Sequence, residues 1–136
     1  MIMIYIEDLC PFCRKSFSDP KHKIDNYPAE TLEIELEGKR GWLRLSALYG
    51  SYKVESELEI PIGAVVKFYC PHCGKDLGIK NPCEHCGAPM VRMLCRPGGY
   101  IHICSRRGCK KHHVAFDDLQ TELRAFYDTY GTFFKP

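Results

Sequence analysis

Nine cysteines punctuate a chain of 136 residues, and their spacing is the first feature that could do chemistry. Six of them fall in C-x-x-C pairs: Cys10-Pro11-Phe12-Cys13, Cys70-Pro71-His72-Cys73 and Cys83-Glu84-His85-Cys86. A fourth pair, Cys104 and Cys109, encloses Ser105-Arg106-Arg107-Gly108, and Cys95 is left over. Two residues between thiolates let a tight turn aim both sulfurs, and its own N–H groups, at one ion. Structural zinc takes four such ligands at about 2.3 Å in a tetrahedron. Four pairs therefore make two closed sites, with Cys10, Cys13, Cys70, Cys73, Cys83, Cys86, Cys104 and Cys109 as ligands and two zinc ions per chain. Gly74 and Gly87 directly follow the second cysteine of their pairs, where such a turn often needs positive φ. Pro11 and Pro71 fix φ inside theirs.

Which pairs share an ion is open on spacing alone. Cys70, Cys73, Cys83 and Cys86 could form a compact ribbon with nine residues between the pairs, leaving Cys10 and Cys13 to meet Cys104 and Cys109. Alternatively, Cys10 and Cys13 join Cys70 and Cys73, while Cys83 and Cys86 join Cys104 and Cys109. From Cys83 the chain runs through a C-x-x-C-G knuckle, an apolar strand, a Gly-rich turn and a second strand ending in Cys104-Ser105. Residues 83–116 thereby resemble the four-cysteine zinc ribbons at the C-terminal end of bacterial type I DNA topoisomerases. The resemblance implies the second pairing, a ribbon fold for this quarter of the chain, and contact with single-stranded nucleic acid. Iron in a rubredoxin-like centre is the less favoured substitute for zinc, because the same knuckles serve both metals.

The elements that must carry these pairs read mostly as strands. Leu32, Ile34 and Leu36 alternate with Glu33, Glu35 and Glu37, the period of a half-buried strand with a wet acidic face. Gly38-Lys39-Arg40-Gly41 reads as a turn and Trp42-Leu43-Arg44-Leu45 as the start of the partner strand. Tyr49-Gly50-Ser51-Tyr52 is a second turn, with further strands over 52–60 and 64–69. The C-terminus changes character. Asp117 with Gln120 predicts a capped helix that Gly131 stops. Leu119, Leu123, Phe126, Tyr127 and Tyr130 form its apolar stripe. Phe133 and Phe134 beyond it suggest a docking tail. The expected fold class is a small β-rich, metal-stabilised protein: two zinc ribbons with rubredoxin-type knuckles, an inserted antiparallel sheet and a C-terminal helix. Its expected divisions are a ribbon over 1–80 carrying a long insert (14–69), a second ribbon over 81–116, and the helix and tail over 117–136. So short a chain has little core, and a structural zinc adds about 10 kcal/mol or more that is coupled to folding.

Composition bounds the rest. With 45% apolar and 12% aromatic residues the chain is neither disordered nor of low complexity. No apolar run approaches the roughly 18 residues of a membrane span, and Met1–Leu9 lacks the features of a secretory signal. A reducing, cytoplasmic setting is the resulting expectation, and there short cysteine spacings favour metal over disulfides.

Residues 1–66 hold eight basic and eleven acidic side chains, and residues 67–136 hold eleven and six. Arg106, Arg107, Lys110 and Lys111 cluster around Cys109 with Tyr100 nearby, a candidate contact surface for phosphate and bases or for a partner. The plainer account is that these cations offset the thiolates. Eight thiolates and two zinc ions together take the formal charge from +2 to about −2, and the pI of 8.1 is below the usual range for nucleic-acid domains.

Catalytic readings find less support. Ile2–Ile6 followed by Cys10-Pro11-Phe12-Cys13 is similar to the opening of a glutaredoxin. A redox cysteine needs a helix N-terminus, however, and Ser16–Pro28 has no helical stripe. Hydrolytic zinc needs an open coordination position, which four cysteines deny it. His72, His85 and His102 read as solvent-facing or supporting residues, and His112 or His113 could at most replace one thiolate. No nucleophile–base pair or phosphate loop is visible. The reading is a non-catalytic zinc-binding accessory subunit or adaptor on a larger protein complex, not an enzyme, with nucleic-acid binding as the alternative.

Overall fold

A computed structural model describes residues 4–5, 7–49, 51, 53–95, 99–109 and 112–115, and every regular element among them is a β-strand. A two-residue strand β1 (Ile4–Tyr5) pairs with β6 (Leu48–Tyr49). The first large sheet holds β3 (Ser18–Ile24), β4 (Tyr27–Leu36), β5 (Lys39–Leu45) and β7 (Val54–Ser56) in chain order. β8 (Lys67–Tyr69) lies against the second half of β4. The second sheet runs β12 (His112–Ala115), β11 (Tyr100–Cys104), β10 (Pro89–Cys95), β2 (Asp8–Leu9), with β9 (Gly78–Pro82) also on β10. All pairings are antiparallel.

The period-two pattern of β4 is realised as expected. Leu32 and Ile34 are fully buried, while Arg40 reaches across from β5 to Glu33 at 2.9 Å and Glu35 at 3.3 Å on the other face. The turn after β4 differs from expectation. It is the two-residue Glu37-Gly38, with φ of 52° and 81°, so Lys39, Arg40 and Gly41 already belong to β5. A two-residue hairpin of type I′ takes positive φ at both positions, and its twist then matches the strands. The same device closes β3 onto β4 through Asp25 and Asn26, at 57° and 68°. β3 itself had no alternating pattern to reveal it. Pro20 is tolerated there because β3 pairs on one side only.

The strands expected over 52–60 and 64–69 are shorter, β7 and β8 alone. Between them the backbone pairs elsewhere: Gly63 N–H donates to the Arg107 carbonyl at 2.9 Å and Val66 N–H to that of Ser105 at 3.1 Å. Pro61 and Gly63 interrupt the strand, and the freed donors are met by the fourth cysteine loop. The predicted helix after Asp117, the tail with Phe133 and Phe134, and the pair Lys110 and Lys111 all lie outside the described residues. Among the described residues there is no helix.

The two large sheets share one core. Its buried cluster takes Leu32, Ile34 and Leu43 from the first sheet and Val91, Met93, Ile101 and Ile103 from the second. The first two knuckles stitch these layers together. β2, before the first knuckle, belongs to the second sheet through Leu94↔Leu9 and Cys95↔Asp8. The arm after it reaches the first sheet, where Thr31 N–H donates to the Phe17 carbonyl at 2.8 Å. The second knuckle crosses in the opposite sense, from β8 in the first sheet to β9 in the second.

Candidate metal centres

The first two knuckles repeat one local design. In each, the first cysteine's N–H donates to the carbonyl five residues on, Cys10 to Lys15 and Cys70 to Lys75, both at 3.0 Å. The residue after the second cysteine donates back, Arg14 to Cys10 and Gly74 to Cys70, both at 2.9 Å. That residue has φ of 63° in Arg14, 75° in Gly74 and 80° in Gly87. Three turns thus share a left-handed position, and the first fills it with arginine. Backbone N–H groups point at the first sulfur of each: Phe12 and Cys13 at Cys10 Sγ (3.4 and 3.5 Å), His72 and Cys73 at Cys70 Sγ (3.3 and 3.4 Å). Donors so placed favour the thiolate over the thiol.

The fold gathers the eight expected ligands into two groups, Cys10, Cys13, Cys70 and Cys73 in one and Cys83, Cys86, Cys104 and Cys109 in the other. Within each group all four sulfurs lie within 4.8 Å of one another. A tetrahedron with 2.3 Å metal–sulfur bonds has edges of about 3.8 Å. The sulfurs of Cys10 and Cys73 stand 3.7 Å apart, those of Cys13 and Cys70 3.7 Å, and those of Cys83 and Cys109 3.8 Å. Cys86 and Cys104 are closer, at 3.3 Å. These separations are far too long for disulfides. This arrangement is the second of the two pairings that spacing left open.

Burial and local donors pull the thiols of each group in opposite directions. Burial pushes the Cys70 thiol up to about 12 and raises Cys10 and Cys104 as well. Each group also has one member shifted the other way. The Lys75 N–H lowers Cys73, while the Ala88 N–H and the Arg106 guanidinium bring Cys86 down to about 6. Buried thiolates in such a cluster need an opposing charge, and a thiophilic dication supplies it while requiring no further ligand. Each group can hold one metal ion in a closed four-sulfur shell.

The other candidate residues fall away from the metal. Cys95 is buried on β10 opposite Asp8 and belongs to the core, outside both groups. His72 and His85 are exposed; His72 Nε2 lies 3.0 Å from the Ser16 carbonyl and ties the second knuckle to the first. His102 Nε2 accepts from Arg92 Nε at 3.0 Å. The glutaredoxin likeness fails here, because Cys13 is followed by a turn and then β3 instead of a helix. The two arginines before Cys109 are committed inward. Arg106 Nη1 donates to the Gly63 carbonyl at 2.8 Å, and Arg107 to that of Ile60. Tyr100 instead lies on β11 under the Arg92 guanidinium, 4.5 Å from the ring centroid.

Sequence reasoning missed a pair of buried carboxyls. The Asp8 N–H donates to Glu30 Oε1 at 3.2 Å; burial raises both groups, Asp8 to about 8 with the Glu7 charge adding to it, and Glu30 with the Asp8 charge adding to it. No local pattern announces them, since 22 residues separate Asp8 from Glu30 and only the sheet contact brings them together. No protein-family model, curated protein or solved structure matches this chain. The likeness of residues 83–116 to topoisomerase ribbons therefore rests on the hairpin and its cysteines.

Proposed function

We propose that the chain is a zinc-stapled, non-catalytic accessory subunit or adaptor that docks on a larger protein. The observation that carries this reading is the closure of both metal groups. Four cysteines complete each shell, leaving no position for water or substrate and so no Lewis-acid chemistry. The metals then act as folding staples. Exposed apolar side chains suit docking: Ile62 is 83% exposed and Phe12, at the tip of the first knuckle, 57%. The proposed tail contacts, Phe133 and Phe134, would add to them.

Affinity purification from the native host, with metal analysis, tests this directly. A stoichiometric protein partner and about two zinc ions per chain are expected. A lone monomer in native extracts would sink the adaptor reading, and a coloured protein would replace zinc by iron. Residues 132–136 should be removable without loss of zinc but with weaker partner recovery.

A second reading, binding of single-stranded nucleic acid, draws on the stacked strip of Arg92, Tyr100 and His102 on the β10–β11 hairpin. The Tyr100 and His102 rings are 6.4 Å apart at an interplanar angle of 21°. The inward commitment of Arg106 and Arg107 weighs against it. Fluorescence anisotropy with an oligonucleotide at low salt separates the readings. Binding that falls steeply with salt, and is lost on Arg106, Arg107, Lys110 and Lys111→Ala, belongs to the second alone.

A further inference from the structure

A cavity of about 580 Å³ opens between the two sheets, with Cys104 and Cys109 of the second sulfur group in part of its lining. Its apolar wall is made by Leu43 and Leu45 from β5, Phe68 from β8, Met93 from β10, and Ile101 and Ile103 from β11, while Ser46, Ser51, Ser56 and Glu59 give it a polar side. The volume lies within the range of small-molecule sites, and apolar walls with few polar groups are their usual lining. Ile62 and Val54, 83% and 49% exposed, stand among the lining residues and make an apolar approach to it.

One polar group in this lining is out of place. Asp8 is only 8% exposed, and its Oδ1 has no hydrogen-bond partner. Behind it Glu30, 1% exposed, accepts the Asp8 N–H with Oε1 and leaves Oε2 unpartnered. Native interiors rarely leave two carboxyl oxygens unsatisfied, and a bound group is one reason they do. The cations that line the cavity make contacts of their own, although Arg106 Nε is left without a partner. Lys53 Nζ sits 2.8 Å from Asp25 Oδ1, and the two arginines donate to the Gly63 and Ile60 carbonyls. Among the described residues no ion pair involves Asp8 or Glu30.

We infer that this cavity binds an apolar small molecule ending in an amine, with its hydrocarbon body between the sheets and its N–H group donated to Asp8 Oδ1. An apolar body alone would leave the Asp8 carboxyl unsatisfied, and an acidic head would set an acceptor against an acceptor there. The inference is independent of the adaptor reading.

The test uses the zinc-loaded full chain with its methionine methyl groups labelled for NMR. Titration with 2-(1-naphthyl)ethylamine should shift the Met93 methyl saturably, while Met90, outside the lining, stays in place. The neutral analogue 1-ethylnaphthalene and the acid 1-naphthylacetate should bind at least about tenfold more weakly, the discrimination expected when a buried polar partner is lost. Asp8→Asn, checked for zinc content and fold, should reduce the amine's advantage over the hydrocarbon. No saturable shift of Met93, or equal affinity of wild-type protein for amine and hydrocarbon, would overturn the inference. Because that comparison is made on unaltered protein, it decides the matter even if the variant misfolds.

Discussion

Single residues decide how well each knuckle turns. Arg14 occupies a left-handed position that its counterparts Gly74 and Gly87 fill without strain. A side chain there costs about 1–2 kcal/mol, partly offset by the greater unfolded-state freedom of glycine. Arg14→Gly should stabilise the metal-loaded protein by about 0.5–1 kcal/mol in urea unfolding. Gly74→Ala should cost about 1 kcal/mol. The space around Gly74 is open, so that loss would be conformational and not steric. Asp8 makes a separate prediction. Its folded value of about 8 lies above the ordinary 3.8, so between those limits the folded chain holds more protons than the unfolded one. The contribution of this group is complete below the unfolded value and is lost as pH rises towards 8. Stability measured from pH 6 to 8 should therefore decline and level off above 8, and Asp8→Asn should flatten the decline. A slope unchanged in the variant would place the effect elsewhere.

Knuckles and strands decide what each metal holds. The first group clamps two hairpins whose arms cross between the sheets, whereas the second closes one ribbon onto its own loop. Cys73→Ser should therefore loosen the contact between sheets, and hydrogen exchange should rise in β2, β8 and β9 together. Cys86→Ser should free one metal and raise exchange mainly in β10, β11 and the 104–109 loop. Both should retain about one zinc per chain, against two in the parent. Cys95→Ser should keep two, and a lower metal content would make Cys95 a ligand. The elements themselves were unevenly legible. β4 declared itself through Leu32, Ile34 and their glutamate neighbours because one face is buried and the other wet. β3 did not: Ser18-Asp19-Pro20-Lys21-His22-Lys23 has no buried face, and its place is set by the Asp25-Asn26 turn. The turn after β4 was displaced in the sequence reading because Gly38 and Gly41 both look like turn residues, whereas the register opposes Gly41 to Ile34.

At the scale of the molecule, the two layers form one core, with one four-cysteine group where they cross and the other inside the second-sheet ribbon. Chelation should unfold both layers, because metal binding energy of about 10 kcal/mol or more is comparable with the whole stability of a small domain. Circular dichroism during titration with a strong chelator should show strand signal lost with the zinc. Retention of the native spectrum in metal-free protein would reduce the ions to ornaments of a self-sufficient core. The cavity belongs to this scale as well, since Asp8, Phe68, Met93 and Ile103 meet only when the sheets are stacked.

The amino-acid sequence by itself determined which atoms can bind metal. Thiol chemistry and the C-x-x-C turn are local, so eight cysteines could be named as candidate ligands from spacing alone. The tertiary structure decided what is not local: which pairs share an ion, where the ninth thiol goes, and that Arg106 and Arg107 turn to backbone carbonyls. It also brought Asp8 against Glu30 at the edge of an apolar cavity. Those outcomes depend on strands far apart in the chain becoming neighbours in a sheet, and sheet neighbours are chosen by the shared burial of two faces, which no short stretch of residues encodes.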